Sequence, residues 1–286
     1  MIAVFRSLRR NALLLRKTPE ETSSYHRSRV LFELQRRANQ LLTKFNPFDN
    51  ETRLERLVGP AGIWPHLQQY QFNALTRLGL KPHHSVIDIG CGPLTVGVAL
   101  IPYLDSGKYT GVDLLPEPLE AAHRRIAQRG LAYKNPTIVC STTFGKRELA
   151  GRTFDFIWTS QLSYHLDDLQ LVLLFEQARA MMHSSSVLLI DVIDPAIMSE
   201  THKTWRGFSY HFRAVELYEE LAQDFSLSVQ RRGRLADYGY PDKIDLSRNT
   251  LLEFRKVDAP PLQPELNETA GDDNRAAARR DSVLAV

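Results

Sequence analysis

Cysteine is scarce in this chain: Cys91 and Cys140 are the only two among 286 residues. Two thiols build neither a disulfide framework nor a cysteine metal site, which points to a reducing, cytoplasmic setting. No apolar run reaches the roughly twenty residues needed to cross a bilayer. Excess charge is lacking too, with 36 basic against 33 acidic residues and a net charge of +3. Composition therefore selects neither a nucleic acid nor an acidic polymer as partner. A dense basic stripe with interleaved aromatics, of the kind that holds RNA, is absent, so no nucleic acid is expected. His83 and His84 are adjacent but have no third ligand at suitable spacing, and no metal is expected. No internal repeat is evident. A 43% hydrophobic content is ordinary and leaves room for a sizeable core.

What is present is organised around residues 85–95, Ser-Val-Ile-Asp-Ile-Gly-Cys-Gly-Pro-Leu-Thr. Val86, Ile87 and Ile89 read as a strand buried on both faces, broken at Gly90 and Gly92. Pro93 suits the first turn of a helix, which Val96, Val98, Leu100, Ile101 and Leu104 continue. Strand, tight glycine turn and helix bring bare backbone and a helix N-terminus up to a ligand, as nucleotide-type cofactor sites require. A dinucleotide fingerprint would need a third glycine where Thr95 stands.

The run Val86-Ile87-Asp88-Ile89-Gly90-Cys91-Gly92 resembles the first motif of the class I S-adenosylmethionine (SAM) methyltransferases. The strand 108–112 ending in Asp113 is similar to the family's second strand. Residues 154–161, followed by Tyr164-His165-Leu166-Asp167-Asp168, look like its fourth strand and the loop facing the substrate. The resemblance covers roughly 59–258 and implies a doubly wound, Rossmann-like α/β fold with a seven-stranded, mostly parallel sheet.

Read in order, helical spacing over 25–45 predicts an amphipathic helix within an N-terminal helical lid, residues 1–58. Arg6, Arg9, Arg10, Arg16 and Lys17 make residues 1–17 a basic surface helix, with weak contact to an anionic membrane as the alternative. Helices are expected over 65–80, 116–129, 167–182 and 212–224, and strands over 137–140, 187–192, 226–234 and 251–257. Residues 194–210 form a polar, aromatic insert at the carboxyl end of the fifth strand. Residues 259–286 read as a disordered tail.

The resemblance implies that SAM is the cofactor and S-adenosylhomocysteine (SAH) its product. Gly90, Cys91 and Gly92 would carry the loop at the methionine end, with Cys91 packing rather than reacting. Asp88 would brace that loop or reach the amino group through water. Asp113 would accept the ribose hydroxyls and Leu114 pack on the adenine. Ser160 and Gln161 complete the expected cofactor contacts with Thr142, because Ser141 and Thr142 stand where the family commonly has an acid. His165, with an ordinary pKa near 6.5, is the candidate base or acceptor-orienting group, with His202 and His211 in reserve. Tyr164, Trp64, His202, Arg206 and Tyr210 are the candidate acceptor contacts. The expected reaction is methyl transfer to a hydroxyl of a small metabolite or sugar. Transfer to nitrogen or a carboxylate, a non-catalytic SAM-binding or partner-binding subunit, and an NAD-dependent oxidoreductase are the alternatives.

Overall fold

A computed structural model describes residues 63–193, 195, 204–205, 208–242 and 244–257. The expected lid over 1–58, the tail over 259–286, His202 and Arg206 lie outside the described residues. Helix α1 (Trp64–Arg77) comes first, with Pro65 in its opening turn, and stops at Gly79, whose φ of 101° closes the end as expected. Strand β1 (Val86–Ile89) leads into α2 (Gly97–Tyr103), β2 (Tyr109–Asp113) into α3 (Pro116–Gln128), and β3 (Thr137–Cys140) precedes β4 (Phe154–Thr159). After a 3-10 turn at Ser163–His165 come α4 (Asp168–Ala180) and β5 (Met182–Val192). A two-stranded hairpin, β6 (Thr204–Trp205) and β7 (Phe208–Ser209), precedes α5 (Val215–Asp224), β8 (Leu227–Arg234) and β9 (Thr250–Lys256). Asp167 caps α4 through a reciprocal pair: its carboxylate accepts the Gln170 N–H at 2.9 Å and the Gln170 side chain accepts the Asp167 N–H at 3.0 Å.

The strands form one seven-stranded sheet in the order β3-β2-β1-β4-β5-β9-β8. β1 to β5 run parallel, and β9 is antiparallel to both β5 and β8. Alternation of side chains sorts the core into two layers. Val86, Trp158, Leu189 and Leu251 pack under α1, α2 and α3, whereas Ile87, Ile157, Leu188, Ile190 and Leu252 pack under α4 and α5. Strand order reverses between β1 and β4, which opens the crevice where doubly wound folds take their ligands.

Two boundaries differ from the sequence reading for local reasons. β5 begins at Met182 rather than Val187, because Ser186 Oγ donates to the Phe154 carbonyl at 2.6 Å and accepts the His183 N–H at 2.8 Å. The irregular serine run thus stays in register as a bulge. α5 begins at Val215 rather than Phe212, because His211 and Arg213 are hydrogen-bonded to the turn after β4.

Candidate active site

The glycine loop grows from the tip of β1. Gly90 and Gly92 take φ of 81° and 54°, conformations costly to any side chain. Cys91 is buried with its Sγ against Gly111 of β2, a packing role as the sequence suggested. Leu94, also buried, takes a left-handed φ of 65°. Its carbonyl and that of Pro93 accept hydrogen bonds at 3.3 and 3.1 Å from the buried guanidinium of Arg125.

That guanidinium lies 4.0 Å from the ring centroid of Trp64, and here the sequence expectation needs correction. Trp64 was expected at the acceptor, but it is 2% exposed and packs in the core behind the loop. Its placement follows from position: the first residue of α1 is turned toward the sheet, and the large apolar ring gains more by burial there.

Two carboxylates flank the loop. Asp88, 4% exposed, accepts the Tyr109 hydroxyl at 2.8 Å. Burial pushes its pKa up to about 7, against the pull of that hydrogen bond. Asp113, at the tip of β2, accepts the Gly92 N–H and the Leu115 N–H, each at 2.9 Å. Burial raises its pKa, while the backbone donors at Leu115, Gly92 and Leu114 pull it back. Asp113 thus ties the second strand to the glycine loop and retains lone pairs for a diol. Leu114 beside it is 50% exposed, an apolar face at the surface. Thr142 is exposed, whereas Ser141 is buried and accepts the N–H groups of Thr143 and Gly145 at 3.2 and 3.0 Å.

The turn after β4 forms the other wall of the crevice. Leu162 packs on Gly90, so closely that a Cβ there would sit 3.1 Å from its Cδ2. The Ser160 hydroxyl bonds that of Tyr70 on α1, and Gln161 Nε2 donates to the Tyr240 hydroxyl at 3.1 Å. The side chains of Ser160 and Gln161 are thus engaged within the protein.

His165 is partly buried in the same turn and stacks on Tyr210, ring centroids 5.0 Å apart. Tyr164, fully buried, stands behind both, 4.8 Å from His165 and 5.4 Å from Tyr210. The stretch leaving the β6-β7 hairpin fastens this group: the His211 N–H donates to the Tyr164 carbonyl at 2.7 Å. Arg213, 8% exposed, donates to the carbonyls of Ser163 and Leu166 at 3.3 and 2.7 Å and to Asp168 at 2.7 Å. The structure therefore brings together His165, Tyr164 and Tyr210, and separates Trp64 from them. His84, by contrast, sits before β1, at the sheet end opposite the glycine loop.

Sequence reasoning missed Asp191, Tyr240, Tyr70, Asn249 and Arg213. Only Asp191 left a signal, as a charge ending the apolar run 187–190.

The family model for methyltransferase domains matches residues 87–188, which hold the glycine loop, Asp113 and the turn after β4. Residues 87–188 are thus similar to the methyltransferase domains of the SAM-dependent class. An uncharacterised methyltransferase of Schizosaccharomyces pombe is 30% identical over 92 residues, 31% of this chain. That stretch spans 33% of the relative's length. Among solved structures, the CcbJ methyltransferase of Streptomyces caelestis superposes with a TM-score of 0.53 at 15% identity, covering 70% of this chain and 92% of that one. The SAM-bound magnesium protoporphyrin IX methyltransferase of Synechocystis gives 0.51 at 16% identity, covering 74% and 86%. These two share the fold. The residues of this site fit SAM: Gly90 and Gly92 leave the backbone of the turn bare, Asp113 offers acceptors at a strand tip, and Leu114 offers an exposed apolar face.

Proposed function

We propose that this methyltransferase moves the methyl group of SAM to an oxygen of a small metabolite or sugar, in the crevice between the Gly90–Gly92 loop and the turn 160–166. The observation that carries this reading is the His165 imidazole, held partly buried on Tyr210 and Tyr164 in a turn that touches the glycine loop. Bound SAM supplies an electrophilic methyl on a cationic sulfur. Gly90, Gly92 and Asp88 would hold its methionine end, Asp113 the ribose and Leu114 the adenine. The chain's own task is alignment and exclusion of water, served by the rigid turn and by its aromatic wall. An acceptor hydroxyl keeps its proton too tightly to attack well, and His165 would take it. Tyr210 would border the acceptor. Among the described residues no helix is long and apolar enough to cross a membrane.

Calorimetric titration with SAM and with SAH tests the cofactor side. Binding in the micromolar range should be lost in Asp113→Ala. For the base, His165→Ala should lower turnover by about a hundredfold with cofactor affinity intact. A change below about twofold would move the reading to a nitrogen or carboxylate acceptor, where little base is needed.

A further inference from the structure

Asp191 ends the apolar run of β5 at the carboxyl edge of the sheet, level with the ligand crevice, and is 0% exposed. Burying a carboxylate is costly unless its lone pairs are met. Its Oδ1 accepts the Gln161 N–H at 2.6 Å and its Oδ2 the Asn249 Nδ2–H at 3.1 Å, while Ser163 Oγ donates to its backbone carbonyl at 2.7 Å. The hydroxyls of Tyr70 on α1, Tyr164 in the turn, Tyr218 on α5 and Tyr240 after β8 face it. Burial raises its pKa to about 6, while the Gln161 N–H, Asn249 and the Ser160 hydroxyl pull it back toward the ionised form.

The strong bond goes to an unusual place. Gln161 takes φ of 57°, a left-handed conformation that costs a side-chain residue about 1 kcal/mol or more. Leu162, the next residue, is the side chain lying on Gly90. A path of contacts therefore runs from Asp191 through the Gln161 peptide and Leu162 to the glycine loop. We infer that Asp191 is a positioning residue: its carboxylate holds the Gln161 turn left-handed, and so seats Leu162 on Gly90 and fixes the width of the cofactor crevice. This rests on the reading of that crevice as the SAM site.

Calorimetric titration of SAH into the full-length wild type, Asp191→Asn, and Asp191→Asn with Gln161→Gly tests the role, with urea stability measured in parallel. Asparagine keeps the shape but loses the charge, and SAH affinity should fall about tenfold, the scale of one lost charge-assisted hydrogen bond. Glycine adopts the left-handed turn without help, so the double variant should recover most of that affinity. A purely structural Asp191 would change urea stability and leave SAH affinity alone. Equal affinity in Asp191→Asn, or a loss that glycine does not restore, overturns the inference. Should Asp191→Asn not fold, Leu162→Ala tests the last link at a turn position: several-fold weaker SAH binding supports the path, and unchanged binding overturns it. A wild type that binds no SAH refutes the reading of the crevice itself, a result distinct from undisturbed binding in the variants.

Discussion

Asp88 lets the electrostatics of the glycine loop be measured without knowing the acceptor. Its folded pKa of about 7 lies above the ordinary carboxylate value of 3.8. Between those values the folded protein holds a proton that the unfolded chain has released. Stability from this group is therefore fully present below the unfolded pKa and is lost as pH rises through about 7. From about pH 5 to about pH 8 the two titration curves separate by about two pH units of linked protonation, or on the order of 2–3 kcal/mol. Asp88→Asn keeps an oxygen to accept the Tyr109 hydroxyl and removes the titration. Thermal melts of both proteins at the two pH values isolate the Asp88 site together with the groups coupled to it, because groups remote from Asp88 titrate equally in each. At ~2–4 °C per kcal/mol for a domain of this size, the wild type should lose about 5–10 °C more than the variant on going to the higher pH. Identical shifts in both proteins would refute the argument that burial dominates at Asp88. Addition of SAH should shrink the wild-type shift if the cofactor's ammonium group faces this carboxylate, since a nearby cation stabilises the ionised form.

Two further substitutions probe the supports of the crevice. A Cβ on Gly97 would lie 2.6 Å from the Tyr109 hydroxyl and 2.8 Å from Leu94 Cδ2, so Gly97→Ala should cost about 2 kcal/mol in urea and displace the donor to Asp88; a loss under about 0.5 kcal/mol would show that the packing there is loose. Arg213→Ala removes the guanidinium that donates to the Leu166 carbonyl and, beside the Leu166 N–H, to that of Ser163, and should cost about 2 kcal/mol and lower turnover through the His165 turn; full stability by denaturant titration would remove Arg213 from that role.

The sequence by itself determined the order of elements and the chemistry of the glycine loop. Val86 to Gly92 announces strand and turn through β-branched residues and glycines, whose preferences are local, and alternation of strands with helices requires right-handed crossovers and a parallel sheet. The places of Asp113 at the tip of β2 and of His165 in the turn after β4 were legible in the same way, because each stands at or after a strand end. Tertiary structure alone decided the rest. Trp64 could border a pocket or fill a core on helical spacing alone, and only the nearby Arg125 and the loop carbonyls show that it fills the core. Asp191, Asn249, Tyr240, Tyr70 and Gln161 come from β5, the turns around β8 and β9, the first helix and the turn after β4, yet converge in one polar group. No local pattern records such a meeting, because hydrogen bonds between distant segments exist only once the sheet has brought its strand ends together. The cost of burying Asp191 is likewise a property of its surroundings and not of its place in the chain.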